Sequence, residues 1–141
     1  MIKDLSTAIL IVDDSAATGR IIAGVLRQIG FETVDFVHGA SSAIERMRTT
    51  SYGLVIADWN MPTMSGLDLL KTIRSDKAFA AIHFIMMTAE ASREHVLAAK
   101  KAGADAFLVK PFTAQSLKAK LDSILAAPPK ADDDDFELIE G

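Results

Sequence analysis

The sequence predicts a doubly wound α/β sandwich, and three observations carry that prediction. Five short apolar runs, rich in β-branched side chains, read as strands buried on both faces: Ala8–Val12, Thr33–Val37, Leu54–Asp58, His83–Thr88 and Ala106–Lys110. Five stretches with helical periodicity follow them in turn, and each crossover is long enough for a right-handed parallel connection. Polar residues able to do chemistry end four of the five runs, where open α/β sheets place their ligand sites.

The first run stops at Asp13-Asp14-Ser15, and Ile21, Ile22, Val25, Leu26 and Ile29 then recur at helical spacing, with Gly30 as the stop. Gly19 and Gly24 lie inside this helix at a cost of about 1 kcal/mol each against Ala, for which close packing is the one reason at hand. Ser42 and Glu45 have capping-box spacing and predict a second helix over Ala43–Arg48. Ser65 with Asp68 caps a third carrying Leu67, Leu70 and Ile73. Ser92 opens an Ala-rich fourth helix through Ala102, stopped by Gly103. Thr113 caps a fifth, with Leu117, Leu121, Ile124 and Leu125 on one face, and Pro128-Pro129 ends it. Residues 1–127 are therefore expected to form one domain and 128–141 an acidic tail, disordered for want of apolar content. The other reading of the tail is an acidic-hydrophobic docking segment, with Phe136, Leu138 and Ile139 behind the run Asp132–Asp135.

Composition narrows the function. The 141 residues suffice to bury a core without staples. Half are hydrophobic, yet no apolar run approaches the roughly 18 needed to cross a bilayer. Met1-Ile2-Lys3-Asp4 lacks the apolar core of a secretory signal. The absence of cysteine excludes disulfides and thiolate metal sites and predicts a cytoplasmic home. The net charge of −4 is concentrated in the tail, where one Lys meets six acids; the other residues hold 14 basic and 13 acidic side chains. A neutral body gives no electrostatic reason to bind nucleic acid.

The strand ends carry the chemistry. In a parallel sheet Asp13 and Asp14, Asp58, Thr88 and Lys110 all face one crevice. Three carboxylates packed together repel one another unless a cation sits among them. An oxygen-rich site with few fixed ligands suits Mg²⁺, which keeps waters and bridges to phosphate. Lys110 adds a second positive charge, and Thr88 a hydroxyl for a phosphoryl oxygen. The set fits phosphoryl transfer onto Asp58 as nucleophile, with Mg²⁺ and Lys110 balancing the developing charge. No Gly-rich phosphate cradle follows the first strand, so the donor is a partner protein or a small phosphorylated molecule rather than a nucleotide. Taken singly, Asp13 and Asp14 serve equally well as a helix cap, Lys110 as a solvated strand end and Thr88 as a turn cap. Four such coincidences at four strand ends are harder to accept than one site.

The segments Ile9 to Ser15, Asp58-Trp59-Asn60-Met61-Pro62 through Gly66-Leu67, Met87-Thr88-Ala89-Glu90 and Lys110-Pro111-Phe112 lie in order and in register. Through them, over roughly residues 5–127, the chain resembles the response-regulator receiver family, and within it the single-domain chemotaxis regulators. The resemblance implies a flavodoxin-like five-stranded sheet of order 2-1-3-4-5 with five helices. It implies that Asp58 is the phosphoacceptor and that a histidine kinase is the donor. Asp14, Asp58 and the backbone carbonyl of Asn60 would bind Mg²⁺ directly and Asp13 through water. Thr88 and Lys110 would contact the phosphoryl group, with small Ala89 admitting it. A cis peptide between Lys110 and Pro111 is implied too, as is tuning of the phosphoryl lifetime by Asn60 and Glu90, with rapid turnover expected.

Thr88 and Phe107 would switch the face made by the fourth helix, fifth strand and fifth helix for a protein target. The family often carries Tyr where this chain has Phe107, so no hydroxyl is offered to a docked partner there. Trp59, Met61, Met64, Met86 and Met87 read as packing residues, and His38, His83 and His95 as incidental. The expectation is a monomeric, non-enzymatic switch that assists its own phosphorylation and dephosphorylation, without nucleic-acid binding or membrane insertion. The alternatives are a phosphate sink or relay intermediate, and a flavodoxin-like cofactor-binding enzyme on the same topology.

Overall fold

Successive residues of a strand point to opposite sides of a sheet, and here each side carries its own core. The structure, a computed structural model, describes residues 5–90, 92–125 and 137–140. Strands β1 (Ile9–Val12), β2 (Val34–Val37), β3 (Leu54–Asp58), β4 (His83–Thr88) and β5 (Ala106–Val109) run parallel in the order β2-β1-β3-β4-β5. Between them run α1 (Ala16–Ile29), α2 (Ala40–Thr49), α3 (Gly66–Ser75) and α4 (Arg93–Ala102), with α5 (Ala114–Leu125) after β5. Ile9, Ile11, Leu54, Ile56, Ile85, Met87 and Leu108 pack with Ile22 and Leu26 of α1 and Leu117, Leu121 and Ile124 of α5. Leu10, Val12, Val55, Ala57, Phe84, Met86 and Phe107 pack with Ala43 and Met47 of α2, Leu69, Leu70 and Ile73 of α3 and Ala99 of α4. Both faces are covered, which is why the strands read as unbroken apolar runs. Each Val, Leu, Ile, Met and Phe side chain among them gains about 1.5–3 kcal/mol on leaving water.

Ser15, Ser65 and Ser92 cap α1, α3 and α4 by accepting the backbone N–H of Thr18, Asp68 and His95. Thr113 and Ser116 cap α5 reciprocally, each side-chain oxygen accepting the other's N–H. The second helix differs from expectation. It starts at Ala40 behind an extended Gly39 that makes no side-chain cap, and Ser42 and Glu45 sit within it. Buried Ala40 and Ala43 hold this turn against the core, and packing outweighs the local capping signal. Gly19 is explained by close packing, since a Cβ there would lie 2.1 Å from the Phe36 ring. Gly24 has nothing within 4 Å of such a Cβ, so packing does not explain it.

The sheet also has a sixth strand, β6 (Glu137–Glu140), parallel to β5 in the register Ala106↔Glu137 to Val109↔Glu140. This corrects the expectation of a disordered tail for these four residues; residues 128–136 and Gly141 lie outside the described ones. The edge of β5 presents unpaired backbone groups that favour a short strand containing Leu138-Ile139. No helix among the described residues is long and apolar enough to cross a membrane.

At the amino ends of the strands, away from the carboxylates, Arg74 of α3 ties the α3–β4 and α4–β5 connections together. Its guanidinium donates to the carbonyls of Gly103, Ala80 and Ile82 and to Asp105 Oδ2 at 3.1 Å. Asp105 is 1% exposed and also accepts the N–H of Phe84.

Candidate functional site

Parallel pairing brings the carboxyl ends of β1, β3, β4 and β5 to one edge, with Val12 beside Ala57, Asp58 beside Met87 and Thr88 beside Val109. Asp58 is the last residue of β3 and is 6% exposed. The loop after it is pinned at once: Trp59 N–H donates to Met87 O and Gly66 N–H to Trp59 O. A Cβ on Gly66 would lie 2.3 Å from the Asp58 carbonyl oxygen, so only glycine lets α3 begin this close to the acid.

Because Ser15 caps α1, the two acids before it are left to the crevice. Asp13 is fully buried; its Oδ1 accepts the Ser15 N–H at 2.8 Å and its Oδ2 the Lys110 ammonium at 3.1 Å. The same Lys110 Nζ lies 3.2 Å from Asp58 Oδ1. Asp13, Asp14 and Asp58 each offer a carboxylate oxygen within 4.8 Å of the others. Burial pushes the Asp58 carboxyl above its ordinary value; Lys110 opposes this, and Asp13 and Asp14 add to it. Burial would lower Lys110, but Asp13 and Asp58 hold its ammonium above the usual lysine value. Three carboxylates against one ammonium leave an excess of negative charge on hard oxygen donors, which fits one small divalent cation.

Thr88 closes the crevice from β4. It is 1% exposed, its carbonyl accepts the Lys110 N–H, and its Oγ1 accepts the Glu90 N–H at 3.1 Å. Ala89 is exposed beside it, and the Lys110–Pro111 peptide is cis. Asn60 and Glu90 are both exposed, each two residues beyond a crevice residue. Phe107 is fully buried in β5, with its ring 6.4 Å from that of Trp59.

A sequence profile of the response regulator receiver domain matches residues 9–122. The chain belongs to this family. Among curated receiver proteins, the chemotaxis protein CheY-3 of Vibrio cholerae serotype O1 is 43% identical over 116 residues, 82% of this chain and 89% of that protein. The chemotaxis protein CheY of Pseudomonas aeruginosa is 40% identical over 116 residues, 82% and 94% of the two chains. Among solved structures, CheY4 of Vibrio cholerae superposes with a TM-score of 0.80 at 28% identity, covering 84% of this chain and 98% of that one. A response regulator of Chloroflexus aurantiacus gives 0.81 at 28% identity, covering 86% and 98%. Receiver domains of this kind are signalling proteins, and the five parallel strands and five helices have the flavodoxin-like order.

One contact in this receiver domain was invisible in the sequence. His95, which shows no metal spacing, has its ring 4.7 Å from that of Trp59 and its Nε2 3.9 Å from the Glu90 carboxylate. Its spacing of three from the cap Ser92 was the only local signal, and that signal does not reveal Trp59.

Proposed function

We propose that the chain is a stand-alone switch of two-component signalling, in which Asp58 accepts a phosphoryl group from a histidine kinase. The observation that supports this best is Lys110 Nζ lying within 3.2 Å of both Asp13 and Asp58 beside buried Thr88. An Asp58 carboxylate oxygen attacks phosphorus as the bond to the donor's imidazole nitrogen breaks, and that nitrogen keeps the electron pair. Lys110, already paired with the nucleophile, is placed to follow the charge onto the transferred oxygens. Mg²⁺, when held by Asp14, Asp58 and the Asn60 carbonyl with Asp13 through water, supplies further charge neutralisation. The Thr88 hydroxyl turns toward the new phosphoryl oxygens, Phe107 follows, and the face of α4, β5 and α5 changes for a protein target. The phosphoryl group biases this two-state surface only by its unequal interaction with the two states.

By the names of its relatives the pathway is chemotaxis, and the protein acts as a cytoplasmic monomer that assists its own phosphorylation and hydrolysis. Asn60 and Glu90 tune the lifetime of the phosphoryl group. Bead-bound protein in Mg²⁺ with beryllofluoride, a stable mimic of the aspartyl phosphate, is compared with untreated protein and with Asp58→Asn. A flagellar or adaptor protein captured only by the activated form is the expected result. Capture of no such protein by the activated form would leave the phosphate-sink reading in its place.

A further inference from the structure

We propose that His95 is a positioning residue for the phosphorylation site, holding the Glu90 carboxylate on the α4 side of the crevice. This rests on Asp58 being the phosphoacceptor. Three neighbours fix the imidazole. Ser92 Oγ accepts the His95 backbone N–H at 3.2 Å as the cap of α4 and is hydrogen-bonded to His95 Nδ1 as well. Trp59, the residue after Asp58, meets the ring edge-on at 4.7 Å and an interplanar angle of 68°. Nε2 is then turned toward Glu90, 3.9 Å from Oε2, a gap that one bridging water or a small rotation closes.

Glu90 is where such a restraint acts on the site. Its backbone N–H is on the Thr88 hydroxyl at 3.1 Å, so its Cα is anchored at the crevice rim while its side chain, 69% exposed, is free to swing. The crevice already holds Asp13, Asp14 and Asp58. A fourth carboxylate loose at its mouth repels an anionic donor and can accept a hydrogen bond from a water attacking the phosphoryl group. His95 keeps it away, and Trp59 links that restraint to the loop behind Asp58.

The test uses the full chain, labelled with radioactive acetyl phosphate in Mg²⁺, and follows loss of label after donor removal. The proteins are wild type, His95→Ala, His95→Gln, Glu90→Ala and the Glu90→Ala/His95→Ala double variant. His95→Ala is expected to shorten the label's lifetime by about twofold to fivefold, the range of a partly exposed polar pair. His95→Gln, which keeps an N–H₂ near the Nε2 position, restores it. In the Glu90→Ala background, His95→Ala changes nothing further. An unchanged or longer lifetime in His95→Ala, or equal shortening in both backgrounds, would overturn the proposal. Failure of the wild type itself to take label is a separate outcome, and it would overturn the phosphoacceptor reading on which the proposal rests.

Discussion

Asp58→Asn should make the metal-free protein more stable while abolishing phosphorylation. Asp58 is 6% exposed and has Asp13 and Asp14 oxygens within 4.8 Å. At an effective dielectric of about 20 the repulsion from buried Asp13 is worth about 3.5 kcal/mol, while Asp14 is exposed and solvent screens its share to about 1 kcal/mol. The Lys110 ammonium at 3.2 Å returns about 5 kcal/mol on the same scale. These charges nearly cancel, and the desolvation of buried Asp58 is what opposes folding with the acid ionised. The pKa has the matching sign: it lies above the unfolded value because of burial first, then Asp13 and Asp14 against Lys110. A raised carboxyl pKa means the penalty is full at pH above the folded value and fades as pH falls through it toward the unfolded value. At pH 7.5 in chelator, Asp58→Asn is therefore predicted to gain about 1–2 kcal/mol, a rise in Tm of about 3–8 °C for a chain of this size. Saturating Mg²⁺ should reverse the order, since a ligand at 100 times its Kd stabilises the wild type by about 2.7 kcal/mol. Thermal melts with chelator and with Mg²⁺ read both effects. A variant less stable than wild type in chelator, or an equal Mg²⁺ shift in both proteins, would refute the reasoning.

The remaining predictions concern packing and the tail. Gly24→Ala should stabilise the protein by about 0.5–1 kcal/mol in urea melts, because nothing opposes the added methyl. Gly19→Ala gains the same helix propensity but drives a methyl into the Phe36 ring, and overpacking of about 1–3 kcal/mol should outweigh it. Phe36→Leu in that background should recover much of the loss. Arg74→Leu removes the guanidinium 3.1 Å from buried Asp105 and should cost about 3–5 kcal/mol of unfolding free energy, read in urea melts. Removing residues 128–141 takes β6 off the edge of β5, and the activated protein should then bind its target more tightly in calorimetry; an unchanged Kd would separate the tail from output.

What was legible in the sequence and what was not divide on physical grounds. Strands covered on both faces leave unbroken apolar runs, so β1, β3 and β4 could be read directly, and with them the polar residues at their ends. Convergence of Asp13, Asp58, Thr88 and Lys110 follows once the strands are parallel. The start of α2 was misread because the packing of Ala40 and Ala43, a tertiary effect, overrides the capping signal of Ser42 and Glu45. β6 was missed because composition averaged over an acidic tail hides two apolar residues, and pairing with a sheet edge is non-local. That Ser15 alone caps α1, leaving Asp13 and Asp14 to the site, is a matter of hydrogen bonds. The approach of His95 to Trp59 depends on how α4 is placed over the β3–α3 loop, which no spacing encodes.

The central claim is that Asp58 accepts a phosphoryl group in a cation-dependent reaction. The most direct measurement is intact-protein and peptide mass spectrometry after incubation with acetyl phosphate, with and without Mg²⁺, trapping the acyl phosphate by borohydride reduction. The account predicts a single phosphoryl addition that requires Mg²⁺, maps to Asp58 and is lost in Asp58→Asn. Modification at another residue, or equal labelling in chelator, would contradict it.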